Sequence, residues 1–136
     1  MVIISVDYGD VRTGVAACDK LQLLASPVTV IKQKDPELLS EEIKNICLEK
    51  KAEKIVLGLP KNMDGSEGFR AEACKEFAKL LSEKTGLSVD FQDERLTTVS
   101  AHNILNATDT RGKKRKAVVD AVSAVLILED YLRKQN

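Results

Sequence analysis

The chain opens on Val2-Ile3-Ile4-Ser5-Val6, a short β-rich run in which apolar residues occupy both parities. A strand with one wet face would alternate apolar and polar, so this one is expected at the centre of a sheet covered on both sides. Gly9-Asp10 follows as a turn, Thr13 to Cys18 as a second strand returning antiparallel, and Leu21 to Ile31 as a third. Pro27 has no amide hydrogen for a strand ladder, which puts it at a bulge or on a sheet edge.

At Asp35-Pro36-Glu37 the pattern changes. Asp35 suits an N-cap, Pro36 the first helical position and Glu37 the positive end of the helix dipole. Leu39, Ile43, Ile46 and Leu48 then recur at roughly helical spacing. Ile55 to Leu59 reads as another buried strand, ending at Pro60. A second helix is expected from about Ser66 to Lys84, with Phe69, Ala73, Phe77, Leu80 and Leu81 as its buried stripe. Leu87 to Gln92 makes a fifth strand. Helices around Thr97–Asn106 and Ala117–Lys134 complete the chain, separated by a basic loop. The order β-β-β-α-β-α-β-α-α predicts an α/β protein: a five-stranded mixed sheet with helices on both faces. Three strands in succession followed by alternating helices and strands is the ribonuclease H-like order. A flavodoxin-like fold would need helices between the first strands.

With 136 residues the chain fits one domain over 1–136. A domain of this size buries roughly two thirds of its unfolded surface and needs no disulfide or metal to fold. The 43% hydrophobic content comes in runs of a few residues, too short to span a bilayer. The start lacks a basic stretch and carries Asp7 where a signal peptide stays apolar, so a cytoplasmic protein is expected. Cys18, Cys47 and Cys74 are far apart and form no CxxC pair, which argues for buried small hydrophobes over a zinc site or disulfide framework. Basic and acidic residues balance at 21 each. The average hides Arg111-Gly112-Lys113-Lys114-Arg115-Lys116, a cationic run broken only by glycine, and local runs matter more for phosphate binding than the total does.

Against this background three acids stand out. Asp7 ends a strand expected to be buried, where a carboxylate is costly unless paired or bound to a cation. Ligands of open α/β sheets also collect at the carboxyl ends of strands. A turn aspartate bonding the amides of Gly9 and Asp10 explains it equally well. Asp93-Glu94 ends the fifth strand and would lie near Asp7 if strands one, four and five are neighbours. Parity places Val89, Phe91 and Asp93 on one face and Asp90, Gln92 and Glu94 on the other, leaving open which acid reaches the site. A helix-start cluster with Arg95 as a surface ion pair is the alternative. Asp120 shares a helix face with Ala124, Ile127 and Tyr131, as a dipole-complementing acid or a metal ligand.

Carboxylates without a His or Cys partner suit a hard cation, Mg²⁺ or Mn²⁺, rather than zinc. Two such ions roughly 4 Å apart orient a water and stabilise the leaving oxygen of a phosphoryl displacement. The lone His102, inside an expected helix, reads as a structural or surface residue. Gly9 to Gly14 has P-loop glycine spacing, but Val15 stands where the phosphate-binding lysine belongs, which excludes a Walker motif. Gly58 to Gly68 is a polar loop leading to a helix N-terminus, a place where free amides bind phosphate, although Glu67 would oppose the anion. The run at Arg111–Lys116 beside Asp120 is either a solvated loop or a phosphate-binding one. Aromatic residues are 4% of the chain, so base stacking is not indicated.

Together these segments resemble the YqgF family of ribonuclease H-like proteins, also called RuvX and described as Holliday junction resolvases. The matching pieces are Asp7-Tyr8-Gly9 with Arg12 and Gly14-Val15-Ala16, Gly58-Leu59-Pro60 with Asn62-Met63-Asp64-Gly65, Asp93-Glu94-Arg95-Leu96-Thr97-Thr98, and Val119-Asp120-Ala121 running to Tyr131-Leu132. They come in the family's order over nearly the whole chain. The resemblance implies a catalytic, metal-holding trio of Asp7, Glu94 and Asp120, with Asp93 as the alternative second acid. It implies processing of the 5′ end of pre-16S ribosomal RNA or, under the older description, cleavage of branched DNA. Arg12, Lys61, Asn62, Arg95, Arg111, Lys113, Lys114, Arg115 and Lys116 are the residues expected to hold nucleic acid. Related RuvC-type resolvases carry a further acid one helical turn after the final aspartate, where this chain has Ser123.

Two readings compete with the nuclease: a non-catalytic RNA-binding ribosome-assembly factor on the same fold, and an actin-like nucleotide phosphatase, which would need a second such domain. Monomer and homodimer both remain open, the last helix being apolar around much of its circumference.

Overall fold

The first three strands are β1 (Ile3–Asp7), β2 (Arg12–Cys18) and β3 (Ala25–Lys32), followed by helix α1 (Pro36–Lys50), strand β4 (Lys54–Leu59), helix α2 (Phe69–Thr85), strand β5 (Ser88–Asp93) and helix α3 (Gly112–Gln135). The computed structural model describes residues 1–9, 11–19, 24–59, 68–93 and 112–135, with backbone alone at 69, 93, 112–121 and 135. The helix expected around Thr97–Asn106 lies outside the described residues.

The strands form one sheet in the order β3-β2-β1-β4-β5. β1 is antiparallel to β2 and parallel to β4, and β4 is parallel to β5, so the sheet is mixed as expected. Ile3, Ile4, Ser5 and Val6 are all 0% exposed, which is what apolar residues at both parities require of a central strand. β3 is an edge strand. Its register against β2 shifts between Val15 and Ala16, whose partners are Thr29 and Pro27, so Pro27 sits at an irregularity on an edge.

In α1 the Asp35 carboxylate accepts from the Glu37 amide at 2.9 Å, Pro36 takes the first turn, and Lys51 closes the helix in a left-handed conformation. Leu39, Ser40, Ile43 and Cys47 are buried, while Leu48 is 68% exposed. The expected stripe was right at Leu39 and Ile43 and wrong at its end, because steps of four residues run from Ile43 to Cys47 and leave Leu48 a further 100° round. Burial pushes the Cys47 thiol up to about 11. In α2 the buried face is Ala71, Cys74, Phe77, Ala78 and Leu81, with Ala73 and Leu80 half-buried. Gly86, at φ 73°, ends that helix in the region where a side chain would be strained.

The largest departure is α3, which begins at Gly112 rather than Ala117. Lys113, Lys114, Arg115 and Lys116 are therefore its opening turns and not a loop. Lysine and arginine are good helix formers, so nothing in their backbone preference ends a helix there.

Helices α1 and α2 cover one face of the sheet over a core that includes Ile4, Val6, Ile55, Leu57, Leu39, Ile43, Phe77 and Leu81. The other face packs Ile3, Cys18 and Val56 against Ile127, Leu128, Tyr131 and Leu132 of α3. Among the described residues no helix is long and apolar enough to cross a membrane.

Beneath α3 the buried Ser5 hydroxyl donates to the Ala124 carbonyl at 2.6 Å. Ser5→Ala should cost about 1 kcal/mol, the usual net worth of such a bond, because the carbonyl keeps its helical partner. Urea denaturation measures it; an unchanged midpoint at equal slope would show the bond to be immaterial.

Candidate functional site

Side chains alternate across a strand, so the contacts of Ile3 and Ser5 with α3 place Asp7 on α3's side of the sheet as well. Asp7 pairs with Gly14 on β2. On the other side the β1–β4 register, which pairs Val6 with Leu57, brings Gly58 beside it at the next step, and Gly58 pairs with Gln92. The row across the sheet is therefore Gly14–Asp7–Gly58–Gln92. Both neighbours of the carboxylate lack a side chain, which leaves space around it at the carboxyl ends of β1 and β4.

The course of α3 accounts for the third acid. Ile3 packs near Ile127, Leu128 and Tyr131, and Ser5 bonds Ala124, so the helix runs antiparallel to β1. Two residues along a strand advance about 6.6 Å. Four residues along a helix advance about 6 Å, so stepping from Ser5 to Asp7 matches stepping back from Ala124 to position 120. The backbone of Asp120 thus lies level with Asp7. Ser123, one turn further along, is 1% exposed.

On β5, residues 88, 90 and 92 share α3's face with Lys54, Val56 and Gly58. Asp93 takes the register position of Leu59, which belongs to the core under α1 and α2. The next position of the other parity is Glu94, outside the described residues. Lys61, Asn62, Arg95 and Arg111 also lie outside them. Arg12 begins β2, two residues before Gly14 and on the same face, half-buried. Among the described residues there is no group of three His, Cys, Asp or Glu side chains able to hold a metal, and Glu94 and the Asp120 side chain are not among them. The described donor in this row is the Asp7 carboxylate between two glycines, an oxygen chemistry that fits a hard divalent cation.

The turn after Asp7 is held from both ends. Tyr8 stacks on Phe77 of α2, centroids 4.2 Å apart and planes 7° from parallel. The Tyr8 carbonyl accepts from Arg70 Nη2 at 3.4 Å, and the Gly9 amide donates to Thr13 Oγ1 at 3.4 Å. Sequence reading missed Arg70; a cation in the first turn of a helix that follows a polar loop was the available signal. A Cβ at Gly9 would stand 2.2 Å from the Arg12 carbonyl oxygen, a backbone atom that cannot swing away. Gly9→Ala should therefore cost roughly 1–3 kcal/mol, as overpacking does, and displace the end of β1. Thermal unfolding and amide chemical shifts at 6–14 check it; wild-type values for both would contradict the close approach.

A family model described as RuvX, Holliday junction resolvase, matches residues 1–134. A protein of Halothermothrix orenii named "Putative pre-16S rRNA nuclease" is 46% identical over 136 residues, covering 100% of this chain and 97% of that protein. Among solved structures, T. thermophilus RuvC in complex with Holliday junction substrate aligns with TM-score 0.62 at 11% identity, over 100% of this chain and 97% of that one. The fowlpox virus Holliday junction resolvase aligns with TM-score 0.61 at 11% identity, over 100% of both chains. At such identities the likeness speaks for the fold alone, and that fold is the ribonuclease H-like one expected from the element order.

Proposed function

We propose, since this chain belongs to the RuvX family described as Holliday junction resolvase, that it is a divalent-metal-dependent endonuclease hydrolysing a phosphodiester bond of nucleic acid. The observation that carries this is the row Gly14–Asp7–Gly58 facing an α3 that runs antiparallel to β1. In this reading Asp7, Glu94 and Asp120 hold the metal and form the catalytic set. Glu94 is preferred to Asp93 because residue 93 pairs with Leu59, on the face of the sheet away from α3.

Oxygen donors without nitrogen or sulfur favour Mg²⁺, with Mn²⁺ as its substitute. Such ions, when bound, supply an activated water and neutralise charge on the departing oxygen. The chain's own part is to hold and align. The three carboxylates fix position, and the glycines on both sides of Asp7 leave room for a phosphate. Arg12, Lys61, Asn62, Arg95 and Arg111 grip the backbone. Lys113, Lys114, Arg115 and Lys116 do so from the first turns of α3. Cations there oppose the positive end of the helix dipole, and an arriving phosphate relieves that strain.

The substrate we assign is precursor 16S ribosomal RNA, a reading supported by the name "Putative pre-16S rRNA nuclease" of the Halothermothrix orenii relative; cleavage at its 5′ end and a cytoplasmic location belong to the same proposal. The second reading, a four-way DNA junction, is favoured by the family description. It requires two copies acting together, whereas RNA trimming is open to a monomer or a homodimer. Side-by-side incubation of precursor rRNA and a four-way junction with Mg²⁺, wild type against Asp7→Asn, decides between them. Cleavage of neither would leave the non-catalytic assembly factor.

A further inference from the structure

At the end of the sheet away from Asp7, three polar side chains from separate elements meet. Tyr131 of α3 donates its hydroxyl to Asp90 Oδ2 of β5 in a short hydrogen bond. Lys54 of β4 donates to the Tyr131 oxygen at 3.2 Å, pairs with Asp90 at 3.3 Å, and stands 5.8 Å from the Tyr131 ring centroid. The Tyr131 hydrogen bond and then Lys54 hold the Asp90 carboxyl below its usual range. Burial first, and then Asp90, hold the Tyr131 phenol above its own. The phenol therefore keeps the proton it donates.

The setting gives this cluster more than a local role. Among the described strands β5 lies at the edge of the sheet, paired with β4. Among the described residues the apolar core under α3 contains none from β5, whose positions on that face are Ser88, Asp90 and Gln92. A polar tie between β5 and α3 runs through Tyr131 and Asp90. α3 leads from here to Asp120. Tyr131 comes eleven positions after Asp120, about three helical turns, which returns the two positions to one side of α3.

We propose that Tyr131, held by Asp90 and Lys54, is a positioning residue that sets the register of α3 against the sheet and so the place of Asp120 beside Asp7. The proposal rests on the reading of those acids as metal ligands. Losing the hydroxyl lets α3 shift along the sheet, and a misplacement of about 1 Å is enough to cost a site on the order of 10²-fold in rate.

The test uses the full chain with Mn²⁺ alone in titration calorimetry, then cleavage kinetics. Tyr131→Phe keeps the ring and removes the donor. Asp90→Ala removes the acceptor, and Asp90→Asn keeps an acceptor without the charge. Tyr131→Phe and Asp90→Ala are expected to weaken Mn²⁺ binding roughly tenfold and lower kcat with KM unchanged. Asp90→Asn is expected to stay close to wild type. Wild-type Mn²⁺ affinity in Tyr131→Phe, or equal loss in Asp90→Asn and Asp90→Ala, overturns the proposal while the carboxylate reading stands. A wild-type chain that binds no Mn²⁺ overturns both, so the two failures are told apart.

Discussion

Asp7→Asn is expected to lower metal-dependent cleavage by about 10³-fold or more, since several kcal/mol of transition-state stabilisation at 1.36 kcal/mol per tenfold reaches that size. Asparagine has the shape of aspartate and offers a neutral oxygen in place of a charged one, so it bonds a hard cation far more weakly. The fold has little reason to suffer. Asp7 is half-buried at a strand end, and the residues beside it at 14 and 58 are glycines, so a substitution of equal shape meets no side chain from those two neighbours. If Asp7, Glu94 and Asp120 form one site as proposed, their charges repel each other without metal, and neutralising one relieves that repulsion. The thermal midpoint of the metal-free variant should therefore equal or exceed that of wild type. Cleavage at the wild-type rate would remove Asp7 from the catalytic set.

Ile127→Ala should have the largest effect on stability, roughly 2–5 kcal/mol for emptying a buried aliphatic site. Ile127 is 0% exposed, and among the described residues it packs on α3's face of the sheet with Ile3, Cys18, Val56, Leu128, Tyr131 and Leu132. A loss near 3 kcal/mol is a drop in Tm of about 10 °C for a chain this size. Leu48→Ala, at a side chain 68% exposed, is the control and should fall within about 0.5 kcal/mol of wild type. Calorimetry of the two variants checks the pair. Equal losses would mean that α1 buries Leu48 after all.

The strands were legible because their chemistry is local. Apolar residues at both parities marked β1 as central, Pro27 marked an edge and a bulge, and Asp35-Pro36 marked the start of α1. Buried helix faces were less legible. Apolar residues such as Leu48, Ala73 and Leu80 fit a helical period almost as well as the true face, and only the neighbouring layer decides which are covered. The start of α3 was missed for a related reason: a cationic run looks like a loop, yet its backbone preferences are helical.

Asp7 could be singled out from sequence because an acid at the end of an apolar strand is anomalous wherever the strand goes. The sequence alone determined the order of elements, the central place of β1 and the acids worth considering, all of which depend on residues near each other in the chain. The glycine row around Asp7, the antiparallel course of α3 that brings Asp120 level with it, and the tie from Tyr131 to Asp90 were decided by tertiary structure. Each depends on the register between elements distant in sequence. Register is set by packing across the sheet, which no local pattern encodes.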